Sequence, residues 1–162
     1  MTNRVSASAT PAWGWVFAGG LIAGALDIAY AAIFWMVRAG VSPMRIFQSV
    51  AAGLLGEASF RGGAATAALG LALHFFIATT MSAAYYLAAR RRPVLVERPV
   101  RFGMLYGLFL YVVMNFVVTP LSAAGSGSRD ALWVGLTIAV HALLVGVPIA
   151  LAARLALRGT SP

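Results

Sequence analysis

Four long apolar runs, separated by short polar and arginine-bearing segments, dominate the chain. They cover residues 13–37, 64–89, 102–120 and 131–153. A helix needs about 20 apolar residues to cross a hydrocarbon core, so each run is a candidate span, the third being the shortest. Asp27 alone breaks the first run. His74 lies inside the second and His141 inside the fourth, which Asp130 precedes as a candidate N-cap.

The 38–63 connection carries a helix signal of its own. Ser42-Pro43 reads as an N-cap followed by proline at the first helical position. Phe47, Val50, Ala51, Leu54 and Leu55 then share one face, with Arg45, Gln48, Ser49 and Ala52 opposite. This pattern predicts an amphipathic helix over 43–57, anchored on the membrane interface or tucked across the mouth of the bundle. Gly62-Gly63 ends the segment and turns the chain back.

Composition agrees with spans rather than buried soluble helices. The chain is 61% apolar and 10% charged, with a mean hydropathy of +0.88. Soluble domains are about half apolar and about a quarter charged. The expected fold is therefore all-α: a single-domain polytopic membrane protein, a four-transmembrane-helix bundle with a short periplasmic amphipathic helix. Cysteine is absent, which excludes disulfides, thiolate metal sites and thiol nucleophiles.

The net charge of +8 rests on arginine, without any lysine, between or beyond the apolar runs. That placement suits topology signals and anionic lipid head groups, not nucleic acid. The 90–101 connection, RRRPVLVERPVR, is the densest basic segment and is expected to meet those head groups. With Arg4, Arg154 and Arg158 it puts eight arginines on one side, against Arg38, Arg45, Arg61 and Arg129 on the other. The excess marks the cytoplasmic side of a bacterial inner membrane, with both termini there. Trp13, Trp15, Tyr85 and Tyr86 then fall near the inner interface, and Trp35 and Trp133 near the outer. Ala23-Gly24-Ala25 resembles a signal-peptide cleavage site, but the apolar run continues well past it, so the first span is expected to stay.

Asp27, His74 and His141 each lie ten residues from the outer end of a span. At a rise of 1.5 Å per residue that is about 15 Å, near the midplane. Asn115 lies about one turn nearer the outside, with Tyr111 a turn away as a hydrogen-bond partner. A charged Asp at that depth costs roughly 2.5–3.5 kcal/mol and turns inward. Small residues flank these groups. Gly20, Gly24, Asp27 and Ala31 form one stripe, and Gly63, Ala67, Gly70, His74, Ala78 and Met81 another, so the two faces are expected to meet. Gly103 and Gly107 open the third span as Gly20 and Gly24 open the first. Thr137, His141, Val145 and Pro148 share a face of the fourth, where Pro148 should free the Leu144 carbonyl and kink the helix. With Leu-Ala-Ala-Arg at 87–90 and 151–154, these matches suggest two parallel duplicated hairpins.

Several chemistries fit the midplane groups. They could form a structural polar knot that fixes helix register. They could handle protons or ions, since Asp27 lacks an arginine at its depth and must pair with a histidine or be protonated. His74 and His141 could hold haem b between the second and fourth spans. A His₂Asp metal site is possible, though its spacing is not diagnostic, and no cofactor is the primary expectation. There is no phosphate-binding glycine loop, HExxH motif or serine nucleophile with a base, so an enzyme is not expected.

The segments PMRIFQSVAAGLLG (43–56), GLALHFFIATT (70–80) and YGLFLYVVMNFVVTPLS (106–122) resemble a group of small four-helix inner-membrane proteins of proteobacteria, distantly YagU-like. The resemblance covers about Gly19 to Ala153. It implies a bacterial inner-membrane location and carries no established reaction. The sequence thus leads to proton-linked movement or sensing of a small solute or ion. A structural accessory subunit and a haem b electron carrier are the alternatives, and self-association or a partner membrane protein is expected.

The arginine asymmetry makes a topology prediction. Reporter fusions after Arg92 and at the C-terminus should read as cytoplasmic, and one near Ser126 as periplasmic. A periplasmic signal from the 90–101 connection would reverse the orientation.

Overall fold

The fold, a computed structural model, is described for residues 12–125, 127–128 and 130–158. It has four helices long and apolar enough to cross a membrane: α1 (Ala12–Ala39), α3 (Gly63–Arg91), α5 (Pro99–Leu121) and α6 (Ala131–Arg158). A shorter helix, α2 (Pro43–Leu55), and a 3-10 turn (Gly56–Arg61) fill the first connection, while the one-turn α4 (Val94–Glu97) sits in the arginine-rich one. No strand occurs among the described residues. The four spans fall where the apolar runs predict, each somewhat longer at its ends.

Local chemistry sets the helix boundaries. The Ser42 hydroxyl accepts the Arg45 amide at 3.4 Å, with Pro43 next to it in the first turn of α2. Asp130 accepts the Trp133 amide at 2.9 Å and so caps α6. Gly56, with φ +58°, ends α2, and Gly63, with φ +57°, reverses the chain into α3, a conformation that side chains disfavour.

Between helices surrounded by lipid tails, apolar burial gives little drive to associate, and close packing at small residues takes its place. A β-carbon on Gly20 would lie 2.6 Å from Thr79 Cα, and one on Gly24 3.0 Å from the Phe75 ring, so α1 packs tightly on α3. A β-carbon on Gly103 would lie 2.8 Å from the Gly146 carbonyl oxygen, and one on Gly107 would collide with the His141 carbonyl. The backbones of α5 and α6 are therefore in contact. The main buried apolar cluster, including Val16, Ala23, Leu110, Ile149 and Ala153, fills the half of the bundle nearer the arginine-rich connection.

Several placements differ from the sequence pattern. Gly70 faces α2, not α1: a β-carbon there would collide with the Phe47 carbonyl. The α2 helix buries Ile46, Gln48, Ala51 and Ala52, and leaves Leu54 and Leu55 exposed. Its face is set by hydrogen bonding, because the Gln48 amide donates to the Gly63 carbonyl at 3.0 Å and to Thr66 Oγ1 at 3.3 Å. The leucines of α2 are then left to the outside. Tyr85 and Tyr86 lie at the expected end but are buried, and the Tyr85 hydroxyl donates to the Leu95 carbonyl of α4 at 2.9 Å.

Packing does not follow the duplicated hairpins. A two-fold relation between them would make the α1–α6 and α3–α5 contacts equivalent. Yet α1 and α6 pack closely, while α3 and α5 lack such backbone packing among the described residues. The Tyr106 hydroxyl spans that gap, donating to the Met81 carbonyl at 2.8 Å.

Gly24→Leu, Gly70→Leu and Gly107→Leu should each lower the melting temperature in detergent, by about 1–3 kcal/mol or more of stability. Leu54→Ala, at a side chain 64% exposed, should change it little. Glycine variants that melt like wild type would mean these contacts do not hold the bundle.

Candidate functional site

At the α2 end, a cavity of about 580 Å³ occupies the space between the spans. Asp27, His74, Asn115 and His141 all line it, so the four candidate residues come together. Trp35 and Trp133 add apolar wall, and Arg45 and Ser49 of α2 stand on its lining. The α2 helix is therefore a wall of the site. Its arginine and serine, on the face expected to meet water, look into the cavity.

The histidines are held by backbone. His74 Nε2 lies 2.8 Å from the Gly24 carbonyl and His141 Nδ1 lies 3.0 Å from the Thr137 carbonyl. A carbonyl oxygen can only accept, so the proton of each bond belongs to the ring nitrogen. In the neutral form this leaves His74 Nδ1 and His141 Nε2 with their lone pairs. Asp27 lies nearest His141, with Oδ1 3.8 Å from Nδ1, inside ion-pair range and beyond a hydrogen bond. Its partner by distance is thus His141 of α6; no ion pair between Asp27 and His74 occurs among the described residues.

The surrounding polar groups extend the set. Tyr30 and Thr137 share a hydroxyl hydrogen bond of 3.3 Å, and the Tyr30 ring stacks on Trp133 at 5.3 Å between centroids. Asn115 Nδ2 donates 2.9 Å to the Tyr111 carbonyl, so the expected link between these residues runs through backbone. The Tyr111 ring stands edge-on to His141.

Two stretches of π-helix border the cavity, Met114–Val118 in α5 and His141–Gly146 in α6. Asn115 lies in the first, and His141 begins the second. In α5 the Thr119 amide reaches back five residues to the Met114 carbonyl. Each stretch runs just ahead of a proline, Pro120 or Pro148. A proline withdraws the amide that the preceding turn needs, and a local π adjustment is one way a span re-pairs its carbonyls. Where a kink is expected at Pro148, the helix shows a widened π turn that begins at the site residue His141. Proline position signals where the irregularity falls, while its form depends on packing.

Two rim contacts have no counterpart in the sequence reading. Arg38 pairs with Asp130 at 3.5 Å, joining the end of α1 to the start of α6. The Arg45 guanidinium lies 4.5 Å from the Phe60 ring centroid. Both join segments that sequence spacing alone does not bring together.

Among the described residues, no three His, Asp or Glu side chains are grouped to hold one metal ion. For haem b, the His74 nitrogen bonded to Gly24 is committed, which leaves Nδ1 of His74 and Nε2 of His141 as possible ligands. No family model, curated protein or solved structure matches the chain.

Because the chain lacks cysteine, single-cysteine variants can map the cavity. Ser49→Cys and Asn115→Cys should react with a membrane-impermeant maleimide added from the α2 side. Phe76→Cys, on α3 next to cavity-lining Ile77 but 70% exposed on the outer surface, should stay unlabelled. Labelling of Phe76→Cys at the rate of Asn115→Cys would show that the cavity is not the route of access.

Proposed function

We propose that the protein moves or senses a small solute or ion in exchange with protons, through Asp27, His74 and His141. The reading takes the chain as a bacterial inner-membrane protein whose cavity opens toward the periplasm. One observation carries it: the Asp27 carboxylate, 3.8 Å from His141, borders a cavity of about 580 Å³ and makes no hydrogen bond to the described residues.

A static knot would have the polar groups satisfy one another. Here each histidine is bonded to a backbone carbonyl, and Asn115 to its own helix, so the carboxylate keeps its acceptor capacity for what enters the cavity. Asp27 is the anionic group for a cation or an arriving proton. His141 is the partner whose charge state sets whether the pair is ionic. The π stretches, with looser hydrogen bonding than a regular helix, are where α5 and α6 can yield as the charge at the site changes.

Proton coupling is read directly in pyranine-loaded proteoliposomes challenged in turn with Na⁺, K⁺ and trimethylammonium. At least one should drive proton movement through wild type, and none through Asp27→Asn. The pairing is read from thermal stability at one pH. The effects of Asp27→Asn and His141→Gln should combine non-additively, because the two groups lie 3.8 Å apart. His74→Gln should add independently to Asp27→Asn. Additive effects throughout and equal fluxes would make the cluster structural, as in an accessory subunit.

A further inference from the structure

At the opposite end of the bundle from the cavity, a second groove of about 710 Å³ runs between the start of α5 and the end of α6. Its head carries Arg98 and Arg101 beside the first turn of α5, and Arg154 from α6. Its floor is apolar: Leu105 and Leu108 of α5 and Leu151 of α6 are among its lining and are 52%, 37% and 41% exposed. From Arg101 to Leu108 the helix rises about 10 Å, so the groove passes from three cations to hydrocarbon depth within two turns.

The charge in this groove is unanswered. Arg154 Nε is shielded from solvent and has no hydrogen-bond partner. Neither ion pair among the described residues involves these three arginines. A cationic head joined to an apolar channel fits an anion that carries its own hydrocarbon.

We propose that this groove binds one anionic phospholipid. Arg98, Arg101 and Arg154 hold its phosphate, and an acyl chain lies over Leu105, Leu108 and Leu151. Guanidinium groups suit phosphate because their planar donors can bond two oxygens at once. The apolar floor selects a lipid over a free phosphate ion. The site differs from the general attraction of the 90–101 connection, since it depends on an arginine from α6 and excludes Arg90, Arg91 and Arg92. It is independent of the proposal for Asp27.

Thermal melts of the full chain in detergent test it, with phosphatidylglycerol, phosphatidylcholine or inorganic phosphate added. Phosphatidylglycerol should raise the melting temperature of wild type, and the other two should not. The Arg98→Gln/Arg101→Gln double variant changes two exposed side chains and so should fold. It should need more phosphatidylglycerol for the same shift, by about fivefold per arginine removed. Arg154→Gln should weaken the response similarly, and Arg90→Gln/Arg91→Gln should leave it as in wild type. An unchanged response in the Arg98/Arg101 variant would overturn the site. An equal loss in the Arg90/Arg91 variant would reduce it to diffuse charge attraction. A shift with phosphate alone would make it an anion site without a lipid.

Discussion

For helices long and apolar enough to cross a membrane, lipid tails would satisfy leucine as well as another helix does, and close backbone contact is what holds such helices together. Glycine permits that contact at Gly20 and Gly24 against α3, and at Gly103, Gly107 and Gly146 between α5 and α6. These crossings lie toward the arginine-rich end, where the apolar cluster is also buried. Beyond them the cavity occupies the bundle. Gly24 itself and His141, against which Gly107 packs, also line the cavity, so the tight contacts run up to its edge. Asp27 follows Gly24 by about one turn of α1, past the last glycine contact on that helix, and lines the cavity.

What could be read from sequence follows from what a helix fixes in advance. Rise per residue is constant, so Asp27, His74 and His141 could be brought to one level along their helices from sequence, and all three line one cavity. Caps were legible because Ser42 and Asp130 bond amides within their own first turns. Azimuth between helices was not. The small-residue stripe of α3 turns Gly70 to α2 and its middle to α1, and no period in the sequence separates the two. Hydropathy fails for a related reason: an apolar side chain is content in the core or in lipid, so Leu54 and Leu55 gave no reliable inward signal. Gln48 did have a preference, for a partner, and that partner lay on α3.

The lack of close backbone packing between α3 and α5 among the described residues gives α2 its place. On one side α2 is tied to α3 by Gln48 and by the seat of its Phe47 carbonyl on Gly70. On the other, its Gly53 carbonyl accepts the Ala123 amide at 3.0 Å, just beyond α5. The helix thus joins the two spans that leave each other apart at this end, and contributes Arg45 and Ser49 to the cavity as it passes. A helix joining two spans needs its hydrogen bonds in order first, and α2 is built that way.

The same separation of roles applies within the site. The groups that orient the histidines are the carbonyls of Gly24 and Thr137, which do not titrate. The acidic group nearest His141 is Asp27, at a distance too long for a hydrogen bond. Ring position is therefore anchored by backbone and not by the carboxylate. Had His141 been held by Asp27 alone, protonating the carboxylate would have freed the ring and loosened α6 at its π-helical turn. In this geometry the imidazole is fixed by the Thr137 carbonyl whatever the charge on the carboxylate.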